Sequence, residues 1–167
     1  MWKSLANTKY RPDQPGKSGV IFVSIFCHAI ANPGQGETMA ARIFVVSADD
    51  SQRSRLIDVL SGAGYRTSGA ASFAEAKQVL PSSSADLVIA EERLGAFNGL
   101  HVIVLGRAFR PDLKAIVMTA QKDAALETDA RRLNVDCVVE SADPEEWLES
   151  VSRTLDSDMP YTGPTIH

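Results

Sequence analysis

Residues 42–64, RIFVVSADDSQRSRLIDVLSGAG, contain one complete strand–helix unit. The apolar, mostly β-branched run Arg42–Ser47 has the composition of a buried strand. Asp50 or Ser51 is placed to cap a following helix, whose apolar residues recur at helical spacing and which is expected to stop at Gly64. Repetition of such a unit along the chain is what builds an α/β fold.

Four more strand patterns follow, three of them apolar and the first, Tyr65–Ala70, mostly polar, and a helical pattern comes after each of them. The predicted strands are Tyr65–Ala70, Asp86–Ala90, Lys114–Thr119 and Cys137–Val139. The predicted helices run from a capping box at Ser72 to Leu80, over Leu100–Phe109, over Asp123–Leu133, and from a cap at Asp143 to Leu155. The alternation predicts an α/β three-layer sandwich, with a five-stranded parallel sheet and helices on both faces.

Length and composition limit the kind of protein. The chain has 167 residues, of which 44% are hydrophobic and 23% charged, so it is not a fully disordered chain. Its net charge of −4 argues against partners such as nucleic acid or an anionic membrane, which need clustered cations. Two cysteines, Cys27 and Cys137, provide neither a disulfide framework nor a zinc site.

The two ends of the chain differ from the middle. Residues 1–38 are rich in proline and glycine, and they contain the apolar run Val20–Cys27, which is too short to span a bilayer. Three interpretations of these residues are open: a secretory signal, a disordered extension, or sequence upstream of a translation start at Met39. We favour the last. We expect one folded domain over residues 39–155 and a tail over 156–167.

Polar residues follow the predicted strands. In open parallel sheets, ligands bind at the carboxyl ends of the strands, near a topological switch point. The positions to inspect are therefore those that follow Val46, Ala90, Thr119 and Val139.

Five segments, in order, resemble those of response-regulator receiver domains of the CheY-like type. They are RIFVV, GYRTSGAASFAEAKQVL, DLVIAEERLGAFNGL, RPDLKAIVMTA and DPEEWLESV. The resemblance spans about Ala41–Leu155. It implies a flavodoxin-like fold and a role in bacterial two-component or phosphorelay signalling.

The residues at the site depart from the pattern that this resemblance implies. A receiver domain uses an acidic pair after the first strand to bind Mg²⁺ and an Asp after the third strand to accept phosphate. It also uses a hydroxyl after the fourth strand and a Lys after the fifth. Here Ser47 and Ala48 occupy the positions of the acidic pair, and Asp49 comes one residue after them. Glu91 occupies the position of the phosphate acceptor and Thr119 that of the hydroxyl. Glu140 or Ser141 occupies the position of the Lys.

We expect from these departures an atypical receiver domain that is not phosphorylated, is not an enzyme and binds no cofactor. Two interpretations of Glu91 stay open. Its carboxylate reaches Thr119 and imitates a phosphorylated acceptor, or it is a tolerated polar residue in a solvent-facing loop. The alternative is a phosphorylatable response regulator in which Asp49 and Asp50 bind Mg²⁺ and Glu91 or a nearby Asp accepts the phosphoryl group.

Partner binding is expected at the fourth helix, the fifth strand and the fifth helix, a surface that receiver domains commonly use. Charged residues expected there are Arg131, Arg132, Glu145, Glu146 and Glu149. A sensor kinase, a downstream signalling protein or a second copy of the chain would fit, and a cytoplasmic location is expected. Because only a short tail follows Leu155, we expect a stand-alone domain.

Overall fold

The computed structural model describes residues 40–140 and 142–157. The predictions for residues 1–38, for Ser141 and for most of the tail lie outside the described residues. The strands are β1 (Arg42–Val46), β2 (Arg66–Ala70), β3 (Leu87–Glu91), β4 (Arg93–Leu94), β5 (Phe97–Asn98), β6 (Lys114–Thr119) and β7 (Asp136–Val139). The helices are α1 (Asp50–Gly62), α2 (Phe73–Val79), α3 (Gly99–Phe109), α4 (Ala124–Arg132) and α5 (Pro144–Asp156), and a 3₁₀ turn covers Leu80–Ser82.

Five strands form one parallel sheet in the order β2-β1-β3-β6-β7. Helices α1 and α5 pack on one face through residues such as Leu60 and Trp147, while α2, α3 and α4 pack on the other through residues such as Val102 and Leu126. The predicted three-layer α/β sandwich is therefore confirmed. Within residues 40–140 and 142–157, no helix is long and apolar enough to cross a membrane.

Of two local expectations about α1, one is wrong and one is confirmed. The cap of α1 is Asp49, whose carboxylate accepts the Gln52 N–H, and not Asp50 or Ser51. The other expectation is confirmed: Gly64 follows the C-cap residue Ala63 and ends the helix there. Its φ of 93° suits a residue without a side chain, its N–H donates to the Ser61 carbonyl oxygen at 3.0 Å, and the Tyr65 N–H donates to that of Leu60 at 3.1 Å.

A two-stranded antiparallel hairpin was not expected from the sequence. It joins β4 to β5 between the end of β3 and the start of α3, and its turn contains Gly95 at a φ of 67°. The ring of Phe97 in β5 stacks on Phe73 at the start of α2, with ring centroids 4.1 Å apart. The hairpin thus anchors the loop that follows β3.

Candidate functional site

The carboxyl ends of β1, β3 and β6 lie side by side at one edge of the sheet, and the strand order reverses direction between β1 and β3. A reversal of this kind marks the usual ligand site of an open α/β sheet. Ser47 and Ala48 follow β1, Glu91 ends β3 with Glu92 next to it, and Thr119 ends β6. We take this edge as the candidate site.

Glu91 is bound to the end of β1. Its Oε2 atom accepts a hydrogen bond from the Ser47 hydroxyl at 2.9 Å and another from the Ala48 N–H at 2.7 Å. Ser47 is completely buried, so its hydroxyl needs an acceptor inside the protein. Both donors are neutral, which means that this carboxylate is held without a cation.

Glu91 and Thr119 leave the sheet on opposite faces. Side chains alternate along a strand, and Glu91 lies two residues after Ile89, which packs against α1 and α5. Thr119 lies two residues after Val117, which packs on the other face. The interpretation that the Glu91 carboxylate reaches Thr119 is therefore wrong.

Glu92 is the carboxylate that Thr119 contacts. The Thr119 hydroxyl lies 2.6 Å from Oε2 of Glu92 and 2.7 Å from the carbonyl oxygen of Gln121, and with one proton it donates fully to one of them at a time. Sequence reasoning missed this role of Glu92. The available signal was strand alternation, since Glu92 lies two residues after Ala90 and so follows the face that Thr119 uses.

Asp49 and Asp50, the alternative metal pair, have other partners. The Asp49 carboxylate caps α1 through the Gln52 N–H at 3.0 Å. Asp50 forms an ion pair with Arg53, and Arg53 also donates to the carbonyl oxygen of Ser47 at 2.6 Å. In the part of the chain that the structure describes, no three His, Cys, Asp or Glu side chains are grouped to hold a metal ion.

Glu140 follows the last strand, at one of the two positions that the resemblance gives to the lysine. Its backbone N–H donates to the carbonyl oxygen of Thr119 at 2.8 Å, so it lies beside the site. The other position, Ser141, is outside the described residues. Arg93 lies 4.0 Å from Glu92, but the Arg93 side chain is 88% exposed. None of the cationic side chains that the structure describes forms an ion pair with Glu91.

The expected partner surface is exposed. Arg131 and Arg132 lie at the solvent side of α4, and Arg132 pairs with Asp129 at 3.1 Å. The three α5 residues Glu145, Glu146 and Glu149 are likewise exposed. Helical periodicity places them opposite the buried face of the same helix, which contains Trp147 and Val151.

An open groove of about 260 Å³ lies between α4 and β7, with Glu127, Arg131 and Cys137 in its lining. Burial raises the pKa of the Cys137 thiol, and the negative charges of Glu127, Asp136 and Glu92 raise it further, against a lowering by Arg131. The thiol is therefore protonated at neutral pH, which makes it a poor nucleophile.

No known family model matches the chain, and no curated protein matches its sequence. Solved structures do match. The response regulator TrrA from Thermotoga maritima, in complex with Mg²⁺ and BeF, is 29% identical with a TM-score of 0.61, covering 68% of this chain and 98% of its own. A CheY-like receiver domain from Methanospirillum hungatei is 20% identical with a TM-score of 0.65, and the match covers 70% of this chain and 94% of that domain.

A receiver protein from Sinorhizobium medicae is 17% identical with a TM-score of 0.65, covering 71% of this chain and 97% of its own. The chain therefore has the fold of CheY-like response-regulator receiver domains.

Proposed function

We propose that this protein is an atypical receiver domain of a bacterial two-component or phosphorelay system, which acts through protein–protein contacts and is not phosphorylated. It is neither an enzyme nor a Mg²⁺-binding protein in this proposal. The observation that carries the proposal is the bonding of Glu91, whose carboxylate already accepts the Ser47 hydroxyl and the Ala48 N–H.

Electrostatics supports this proposal. Transfer of a phosphoryl group to a carboxylate brings like charges together, and cations with aligned donors must offset their repulsion. Here Ser47 and Ala48 replace the acidic pair that would bind Mg²⁺, and their donors are already used by Glu91. A phosphoryl group would meet the negative charges of Glu91 and Glu92, with Glu140 beside them.

The relative TrrA was solved with Mg²⁺ and BeF. We propose that this chain binds neither, because Ser47 and Ala48 stand where the Mg²⁺-binding acidic pair would be, and none of the described cations pairs with Glu91. Asp49 and Asp50 would have to give up the α1 cap and the Arg53 ion pair before both could bind a metal ion.

Intact-mass spectrometry after incubation with acetyl phosphate and Mg²⁺ tests the proposal. We expect the mass of the protein to stay unchanged under conditions that label a receiver domain with a complete site. A phosphate adduct that disappears in Glu91→Gln or in Asp49→Asn/Asp50→Asn would overturn the proposal and establish the alternative, a phosphorylatable response regulator.

The partner surface, as we propose it, consists of Arg131 and Arg132 at the end of α4 and of Glu145, Glu146 and Glu149 on α5. Its acidic α5 part fits a basic surface on a sensor kinase or a downstream signalling protein, and a second copy of the chain could use the Arg pair in the same way. This proposal places the protein in the cytoplasm.

Charge reversal tests the partner surface. We expect Glu145→Lys/Glu149→Lys to abolish co-purification of the partner and to reduce any dimer seen in sedimentation. The control is Asp58→Lys, an exposed residue on α1, which should leave both unchanged. Equal loss in the two variants would contradict the assignment of the surface.

A further inference from the structure

We infer that Glu92 is a positioning residue that holds the Thr119 hydroxyl and so fixes the loop between β6 and α4 in one position without a bound ligand. The role of this contact in signalling rests on the proposed function. A module that receives no phosphoryl group needs another way to hold its partner surface in a binding conformation.

Glu92 is itself held at three points. Its backbone N–H donates to the carbonyl oxygen of Met118 at 2.7 Å, and its carbonyl oxygen accepts the Gly99 N–H at 2.9 Å. The third point is the Thr119 hydroxyl, and the Glu92 side chain is only 21% exposed. Because the backbone of Glu92 is held through both its N–H and its carbonyl oxygen, its side chain has little freedom to turn away from Thr119.

Thr119 passes this constraint to α4. Its side chain is 3% exposed, and its carbonyl oxygen accepts the Glu140 N–H, which ties it to the end of β7 as well. Four residues later comes Asp123, at the other end of the loop, which caps α4 by accepting the Ala125 N–H at 2.8 Å. The start of α4 is thus set by where Thr119 is held.

The carboxylate of Glu92 is the stronger of the two acceptors near the Thr119 hydroxyl, because hydrogen bonds to charged groups are roughly twice as strong as those to neutral carbonyls. Without it, the hydroxyl retains the Gln121 carbonyl oxygen, an acceptor within its own loop. A bond within the loop no longer connects the loop to β3. Removal of the Glu92 carboxylate therefore frees the loop.

The α4–β7 groove is lined by α4 residues such as Glu127 and Arg131, and α4 begins directly after this loop. Glu92 and Cys137 lie on the same face of the sheet, and the negative charge of Glu92 contributes to the raised pKa of Cys137. The Cys137 thiol, half-buried in the lining of the groove, therefore reports movement of α4 and of the loop that precedes it.

Hydrogen–deuterium exchange over residues 120–132 tests the inference. We expect about tenfold faster exchange there in Glu92→Ala and in Thr119→Val, which corresponds to the loss of one hydrogen bond to a charged group. The double variant should exchange no faster than Thr119→Val, because that variant already lacks the bond that Glu92→Ala removes. Thr119→Ser, which retains the donor, should stay close to the wild type, and Glu92→Gln, whose amide oxygen is a neutral acceptor, should fall between the wild type and Glu92→Ala.

Glu91→Ala is the matched control, since it removes the neighbouring carboxylate and should speed exchange near Ser47 without affecting α4. Unchanged exchange over 120–132 in Glu92→Ala, or equal acceleration in Glu91→Ala, would overturn the inference. So would additive effects in the double variant.

Alkylation of Cys137 by iodoacetamide, in a Cys27→Ser background, gives a second readout. Thr119→Val leaves the Glu92 charge in place, so faster alkylation in this variant would report movement of the loop, and an unchanged rate would count against the inference. The proposed function fails separately, through a phosphate adduct on the wild-type chain, which neither exchange nor alkylation measures.

Discussion

At the scale of single residues, Glu91 and Glu92 are adjacent in the chain, yet their carboxylates bind the ends of different strands. Glu91 bonds to the end of β1 and Glu92 to Thr119 at the end of β6. Alternation along β3 separates them onto opposite faces of the sheet, which lessens their mutual repulsion. This separation allows two neighbouring acids to lie at one edge of the sheet.

Gly99 allows the close approach that positions both glutamates. A Cβ atom there would lie 2.5 Å from the carbonyl oxygen of Glu91 and 3.1 Å from that of Ala90, and backbone atoms do not move aside easily. We expect Gly99→Ala to lower the free energy of unfolding by about 1–3 kcal/mol, measured by urea denaturation. Gly62→Ala is the control, because nothing lies within 4 Å of its added Cβ, and it should be neutral or slightly stabilising. Equal effects of the two substitutions would contradict this explanation.

At the scale of elements, the sheet strands could be predicted to within one residue. For β1, β3 and β6 the reason is that a strand buried on both faces is a continuous apolar run. The exposed strand β2, RTSGA, has no such run and is supported by the resemblance of its segment. The hairpin of β4 and β5 could not be predicted from the sequence. Each of its strands has two residues, too few to show a period, and its stability comes partly from the contact of Phe97 with the distant Phe73. The α1 cap was misassigned because Asp49, Asp50 and Ser51 are all good capping residues.

The candidate site could be located from the sequence, but its bonds could not. Strand ends and the resemblance identified Ser47, Glu91 and Thr119, which the fold does bring to one edge. Which carboxylate binds which hydroxyl depends on the faces to which side chains point after a strand ends, and on the lengths of the side chains. For this reason Glu92 was overlooked as the partner of Thr119.

Asp86 connects three elements at the opposite edge of the sheet. It bonds to Arg42 at the start of β1 and lies 3.7 Å from Arg110 at the end of α3. Burial alone would raise the pKa of Asp86, but the hydrogen bonds and positive charges of Arg42 and Arg110 hold it below its ordinary value of 3.8.

A carboxyl group with a lowered pKa in the folded state contributes stability above its ordinary pKa and loses it as the pH falls through the lowered value. We therefore expect Asp86→Asn to be less stable than the wild type between about pH 5 and pH 7, with the difference shrinking below about pH 4. Urea denaturation at several pH values measures this. Asp112→Asn, which removes an exposed partner of Arg110, should show little difference at any pH. A deficit of Asp86→Asn that grows with acidity would show that the sign is wrong.

At the scale of the whole molecule, the residues that stabilise the fold are separate from those that form the site. The two apolar layers on either side of the sheet use strand residues such as Val45, Ile89 and Val117, all completely buried. The site uses the residues that come after those strands end. Its side chains can therefore change without loss of the fold, which is why a CheY-like receiver fold here carries Ser47, Ala48 and Glu91 at its site.

This separation leads to a prediction about restoring phosphorylation. We expect Ala48→Asp/Glu91→Asp/Glu140→Lys to fold and to gain Mg²⁺-dependent phosphorylation by acetyl phosphate, at least about tenfold above the wild type, since each restored charged group is worth that much or more to transfer. Intact-mass spectrometry measures the gain. Ala48→Asp/Glu91→Asp without the lysine is the control and should be labelled at least about tenfold less than the triple variant. A second version with the lysine at Ser141 covers the other position that the resemblance allows. If both lysine variants fold and neither is labelled, the backbone at this edge, and not the side chains alone, prevents phosphorylation.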